Sequence, residues 1–311
     1  MSAVGTPSTL VAARPRRTLL EASRRALPFY LLISPTFVLL AIFNYYPAFM
    51  ALYRSLFVWD IGGSAEFVGI QNFVTMLRDQ VFLLSLRNVA LMTAAGIVMV
   101  LTVPIAVAEA IYRLGSQRAQ YWYRIMVVLP VVIPGIVHIL IWQFFYEARY
   151  GLVNQLLRLF GLGQYATSWL GNPDVVVYAI IFSHFPFVGG VTVLIYLAGL
   201  QAIPGEIRDA AEVDGATGWT QIRGIDLPYV MGQIKLSVVL AIINQLQAFG
   251  YVLVMSGGGP ANASVVPGLW LYTNVIEFGK VGYASAIGVF LFAIIMVLTV
   301  VNMRFIKSAT Y

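Results

Sequence analysis

The sequence predicts an all-α polytopic membrane protein of about six transmembrane helices, and three observations predict it. Hydrophobic residues fill 60% of the 311 positions and charged residues only 10%, against roughly a quarter charged in a soluble domain. Mean hydropathy is +0.84. Six apolar segments, near 28–52, 87–112, 122–146, 174–200, 233–256 and 283–305, reach or approach the roughly 20 residues a helix needs to cross a hydrocarbon core. Lipid offers the backbone no hydrogen-bond partner, so each must be helical. A barrel needs strands of alternating polarity, and runs such as 284–301 do not alternate.

Taken in order, residues 1–27 combine Pro, Ser and clustered Arg with little apolar content and read as a basic cytoplasmic arm, ahead of a transmembrane domain over 28–311. A signal peptide is the competing reading. The apolar run that follows is too long for a signal core and lacks a small-residue cleavage site, which favours a retained first span. Pro104, Pro130, Pro134 and Pro186 fall inside the second, third and fourth segments, where they predict kinks that shape a cavity. The loops around 53–86, 147–173 and 257–282 are long enough for short amphipathic or interfacial helices. Tyr45, Tyr46, Trp59, Tyr146, Tyr150 and Trp169 near their edges suit an aromatic belt.

Charge orients the bundle and excludes other classes. With the N-terminus in the cytoplasm, that side carries 13 of the 19 Lys and Arg residues and the far side 6, in line with the positive-inside rule. The net charge of +6 therefore reads as basic cytoplasmic loops, and no nucleic-acid partner is expected. The chain has no Cys and only two His, His138 and His184. Disulfides, Cys-ligated zinc and thiol chemistry are excluded, and no metal site is expected. Neither His has a nearby carboxylate within its span, and both read as hydrogen-bonded packing residues and not as a proton relay.

The stretch 201–230, QAIPGEIRDAAEVDGATGWTQIRGIDLPYV, is a charged island between the fourth and fifth apolar runs. Pro204 and Gly205 interrupt the fourth span, and Glu206, Asp209, Glu212 and Asp214 crowd a short amphipathic helix whose N-terminal dipole favours carboxylates. Gly215 can take a positive φ, Thr217 can cap a second short helix through Ile222, and Pro228 allows a turn before the fifth span. The expected product is a helix–turn–helix on the membrane surface, with Ala210, Ala211 and Ala216 leaving room for a partner. Asp209-Ala210-Ala211, Gly215, then Ile225-Asp226-Leu227-Pro228 carry a spacing that resembles the EAA loop of permease subunits in binding-protein-dependent, type I ATP-binding-cassette importers. Asp209 stands where that family usually has Glu, and Ile222 where an aromatic residue is common. Further family-like strings run from Phe67 to Phe73, from Ala198 to Pro204 and from Ser256 to Pro260. Together they look like the sugar-importing branch, the maltose and glycerol-phosphate permease type.

The resemblance implies the rest of the machine. Its loop would dock in a groove of an ATPase subunit through Glu206, Asp209, Ala210, Ala211, Asp214, Gly215, Ala216, Leu227 and Pro228. It implies a second permease subunit forming a heterodimer, two ATP-binding subunits and a solute-binding protein, in the cytoplasmic (inner) membrane of a bacterium or archaeon, both termini cytoplasmic. No Gly-Lys-Ser/Thr string follows the glycines at 257–259, so this chain has no P-loop. ATP and Mg would then be bound by the partner, with no cofactor and no enzyme activity here.

Polar residues in the fifth span mark a candidate substrate path. Asn244, Gln247 and Tyr251 fall at i, i+3 and i+7, one face of a continuous helix, with Gln245 beside them. Amides and a phenol can hydrogen-bond sugar hydroxyls while the ring packs on a sugar face. Interhelical hydrogen bonding is the alternative role. For the whole chain the alternatives are a permease for glycerol phosphate or another polar solute and, in a different class, an ion-coupled secondary transporter.

Overall fold

The computed structural model describes residues 19–63 and 65–305, and falls into two units, one up to Met50 and one from Ala51. α1 (Leu19–Leu40) runs through a widened turn over Ala41–Tyr45 into α2 (Tyr46–Arg54), within which the division at Met50 falls. The described part of the helix reaches back to Leu19, inside the stretch assigned to the basic arm, whose first 18 residues lie outside the described ones. Leu27–Arg54 is long and apolar enough to cross a membrane.

The second unit opens with a small hairpin, β1 (Phe57–Val58) against β2 (Glu66–Phe67), antiparallel with Phe57 opposite Phe67. Then come α3 (Gln71–Met76), α4 (Gln80–Leu101) and α5 (Val103–Tyr112). Asp79 caps α4, accepting from the Val81 N–H at 2.9 Å. The second apolar segment therefore starts at Gln80, seven residues earlier than hydropathy placed it. Pro104 sits in the first turn of α5, where its missing N–H costs nothing, and Gln80–Tyr112 counts as one span of 33 residues.

The third, fourth and fifth segments are broken. α6 (Gln117–Val128) and a tight turn over Leu129–Val132 meet α7 (Gly135–Phe145) at 83°, with Pro130 and Pro134 at the joint. α8 (Leu152–Leu159) follows in the intervening loop. α9 (Val176–Phe182) and α10 (Gly190–Gln201) flank irregular backbone at 183–189, where Phe187 and Gly189 have φ of 62° and 56°. The fourth segment is thus two helices, not the kinked span expected from Pro186. α10 turns by 73° into α11 (Gly205–Val213). α12 (Trp219–Gln221), a widened turn over Ile222–Asp226 and α13 (Leu227–Tyr229) then lead at 66° into α14 (Met231–Leu246). α15 (Phe249–Ser256), α16 (Pro267–Ile276) and α17 (Val281–Phe305) complete the described residues. Among the described residues three helices can span a membrane, or up to six if each bent pair is one span.

The core lies where α10 meets α5 and α14. Tyr196, Leu197 and Leu200 are buried against Ala108 and Ile111 on one side and Val238 and Ile242 on the other. Gly199 allows the close approach, since a Cβ there would lie 2.7 Å from the Gln233 side chain. The aromatic-belt expectation fails for Tyr146. It is 3% exposed, and its hydroxyl donates to the Ala179 carbonyl at 2.8 Å, so the phenol is satisfied inside the bundle and not at the lipid interface.

Candidate coupling loop and translocation path

The 201–230 stretch forms two short helices joined by a glycine bend. Glu206, Asp209, Ala210 and Asp214 are exposed, and Ala216, Leu227 and Pro228 are partly buried. Gly215 has φ of 77° and Gly218 of 53°, a region that strains any residue with a Cβ. The chain closes on itself there through the Ala216 N–H on the Ala211 carbonyl at 2.8 Å. Two expectations need correction. Thr217 does not cap the second helix, because Gly218 occupies the cap and no side chain bonds it. Ala211 is 8% exposed, on the inward face of α11 with Ile207, so the room it leaves is for the protein's own packing. The bend instead presents Val213 and Trp219, 88% and 70% exposed, which the reading of small residues missed. Large apolar side chains left exposed beside acidic groups are a feature of interaction sites.

Behind the bend lies an ion cluster that no local pattern foretold. The Asp226 carboxylate is wholly buried and accepts from Arg113 Nη2 at 2.5 Å and Arg208 Nη2 at 3.0 Å. Arg113 also donates from Nε to Glu109 Oε2 at 3.1 Å and from Nη1 to Gln221 Oε1 at 3.2 Å. The Arg208 guanidinium lies 3.9 Å over the Tyr112 ring. Two cations face two carboxylates, and the cluster joins α11 and the widened turn to the end of α5. The signals available were the Glu109–Arg113 spacing of four residues and the charge embedded in Ile225-Asp226-Leu227-Pro228.

Asn244, Gln245 and Tyr251 line one cavity of 180 Å³ with Gly96, Met99 and His184, enclosed by α4, α9, α14 and α15. Gln247 does not join them. α14 ends at Leu246, Gln247 and Ala248 leave helical geometry with ψ of 0° and 49°, and α15 starts afresh at Phe249. The shared face expected of an unbroken helix therefore does not exist, and Gln247 lines a separate cavity of 460 Å³ with Phe249, Gly268 and Tyr272. Gly96 lets Gln245 lie against α4, since a Cβ there would be 3.0 Å from Gln245 Nε2.

Tyr251 is the best anchored of the candidate path residues. Its hydroxyl is 2.6 Å from Ser183 Oγ, and its ring stacks on His184 at 4.9 Å. Its other side borders a third cavity of 530 Å³ that includes His138. His138 Nε2 lies 2.9 Å from the Ser183 carbonyl and His184 Nδ1 3.2 Å from that of Ile180, as packing residues require. Among the described residues no group of His, Asp and Glu could hold a metal ion.

A broken-helix membrane bundle, with a polar-lined internal cavity and a surface loop ionically tied to a spanning helix, defines a membrane transport component. Residues 101–309 match the family model of the binding-protein-dependent transport system inner membrane component, and the chain belongs to this family. It is 32% identical to the probable ABC transporter permease protein YurN of Bacillus subtilis, over 90% of this chain and 96% of that one. It is 32% identical to the diacetylchitobiose uptake system permease protein NgcF of Streptomyces coelicolor, over 91% of this chain and 83% of that one. The fold matches a chain of the bacterial alginate ABC transporter crystallised with an alginate pentasaccharide-bound periplasmic protein. The TM-score is 0.80 at 22% identity, covering 94% of this chain and 99% of the other.

Proposed function

We propose that the chain is a permease subunit of an ATP-driven importer of sugars or oligosaccharides, which receives its solute from a solute-binding protein. It pairs with a second permease subunit as a heterodimer and with two ATP-binding subunits that hold ATP and Mg. The basic arm, the 201–230 loop and the C-terminal end share the cytoplasmic face of a bacterial or archaeal inner membrane. Glu206, Asp209, Ala210, Asp214, Gly215 and Ala216 form the docking bend with Val213 and Trp219, while Ala211, Leu227 and Pro228 hold its inner side.

One observation carries the reading. The span Gln80–Tyr112 is joined to the loop through Arg113 and Asp226 at one end, and lines the 180 Å³ cavity with Met92, Gly96 and Met99. A movement imposed on the loop by a closing partner thus has a direct mechanical route to the cavity wall, which is what alternating access requires. The cavity is smaller than the roughly 300–1,000 Å³ of ligand pockets, and its wall must separate to pass a sugar.

The lining supports the solute class. Asn244, Gln245 and Tyr251 offer donors and acceptors to hydroxyls, and no Lys, Arg, Asp or Glu lines the cavity. Glycerol phosphate would find no counter-charge there, and an ion-coupled carrier would lack its midplane carboxylate. The test is uptake by the reconstituted complex of labelled sugars against glycerol 3-phosphate, with ATP hydrolysis followed in parallel. Sugar uptake that needs ATP and the solute-binding protein is expected. Uptake of glycerol 3-phosphate alone, or uptake driven by an ion gradient without ATP, overturns the reading.

A further inference from the structure

Asp79 precedes the span Gln80–Tyr112 and Arg113 follows it, and 33 helical residues rise about 50 Å. A cavity beside Asp79 therefore lies on the membrane side opposite the 201–230 loop. There the hairpin, α3, α16 and the start of α17 line an open cavity of 650 Å³, a volume within the roughly 300–1,000 Å³ of small-molecule sites and larger than the path cavity.

Its wall is locked in place. Asp79 Oδ2 accepts from the Trp270 indole N–H at 2.7 Å and the Tyr283 hydroxyl at 2.6 Å. Its Oδ1 is committed to the α4 cap, so both rings are held at fixed angles. A third ring, Trp59, is backed by the Arg54 guanidinium at 4.3 Å. Between the rings stand two buried amides. Asn274, 2% exposed, donates to the Trp270 carbonyl at 2.8 Å. Asn72, 6% exposed, donates to the Ser55 and Phe57 carbonyls at 2.9 and 2.8 Å. The backbone carbonyls hold both Nδ2 groups, neither carboxamide oxygen is among the buried atoms without a partner, and each can accept from a hydroxyl in the cavity. Thr75 and Arg78 add donors at the exposed rim, and Asp60 and Asp79 balance Arg78 and Lys280 two against two.

We propose that this cavity is a second binding site, distinct from the translocation path, for a neutral saccharide. Sugar C–H faces pack on the fixed rings, and hydroxyls bridge the amide oxygens and the rim donors. Among the lining side chains the charges cancel, and Arg54 adds a further cation behind Trp59, so glycerol 3-phosphate is the anionic comparison, and protection by it without protection by a sugar overturns the neutral assignment. The proposal stands on the cavity's own chemistry and not on which solute is transported.

The chain contains no cysteine, so a Thr75→Cys variant of the assembled complex in nanodiscs reports on this cavity without background. Labelling by a maleimide is followed with trehalose, diacetylchitobiose or glycerol 3-phosphate present. Saturable protection by a sugar is expected, slowing the reaction about tenfold at ten times the dissociation constant. Adding Trp59→Ala removes the protection, and adding Gln245→Ala leaves it intact. Undiminished labelling at every sugar concentration overturns the proposal. So does protection by the solute-binding protein without sugar, which assigns the cavity to a protein loop, or protection abolished by Gln245→Ala, which assigns it to the path. Lys280→Cys on the same rim provides the same readout should Thr75→Cys fail to assemble. Protection by sugar in a complex that transports no sugar leaves this site standing while the proposed function falls.

Discussion

Arg113 Nη2 lies 2.5 Å from Asp226 Oδ2 although 113 positions separate the two in the chain. The contact joins the last turn of a spanning helix to the inner side of the surface loop. A buried ion pair adds little net stability against a well-packed apolar replacement, yet removing one partner strands a charge and costs about 3–5 kcal/mol. The pair is therefore better understood as a linkage than as a source of stability: loop and helix move together because separating them is expensive.

Asp226→Asn keeps the shape and deletes the charge, leaving Arg113 and Arg208 with Glu109 alone. The Arg113 side chain is 31% exposed, so water compensates in part and the loss should fall at or below the lower end of the about 3–5 kcal/mol for a broken buried pair. Thermal melting of the solubilised complex should drop, and uptake should fall further than assembly does. Unchanged melting and uptake would show that the cluster links nothing.

The glycine bend is tested by two substitutions at one site. A Cβ at Gly215 meets nothing within 4 Å, so Gly215→Ala carries only the left-handed backbone penalty, about 1–2 kcal/mol. Gly215→Pro forces φ from 77° to about −65° and must refold the bend. Stimulation of ATP hydrolysis by the loaded solute-binding protein should weaken with Ala and vanish with Pro, while membrane insertion persists. A bulky residue at Ala211 should act differently, lifting α11 off its own support at about 1–3 kcal/mol. Wild-type stimulation in the Pro variant would remove the bend from the coupling route.

How much of this was legible follows from range. The apolar runs and the charged island announce themselves because hydropathy and Gly215's neighbours are local signals. The breaks at 183–189 and 247–248 do not, since Phe185-Pro186-Phe187-Val188 and Leu246-Gln247-Ala248-Phe249 are apolar enough for a hydropathy window to run through them. The wrong shared face for Gln247 followed directly from assuming a continuous helix. The ion cluster was unreadable because Asp226 meets partners 113 and 18 positions away, and of its contacts only Glu109–Arg113 falls within helical spacing. The Asp79–Trp270–Tyr283 network, with separations of 191 and 204, was hidden for the same reason.

Orientation is tested on two positions exposed to solvent, Thr217 on the loop and Asn262 beyond α15. With 13 basic residues to 6 placing the loop inside, Asn262→Cys should react with an impermeant thiol reagent in intact cells, and Thr217→Cys only after lysis. The reverse pattern would invert the topology and, with it, the side from which an ATPase could reach the bend.

The last test separates the two amides that an unbroken helix would have put together. Gln245 lines the 180 Å³ cavity beside Tyr251, while Gln247 faces the 460 Å³ cavity on the other side of the break. One good hydrogen bond contributes about 0.5–1.5 kcal/mol, so Gln245→Ala should raise the apparent KM for the transported sugar about two- to twelvefold. Gln247→Ala should leave it near wild type. Gly96→Ala displaces the amide without deleting it: the new Cβ lies 3.0 Å from Gln245 Nε2 and 3.1 Å from Cγ, so the amide must shift and the KM should move with it. If Gln247→Ala changes the KM while Gln245→Ala and Gly96→Ala do not, the solute passes along the other face of α14, and the 180 Å³ cavity is packing between helices.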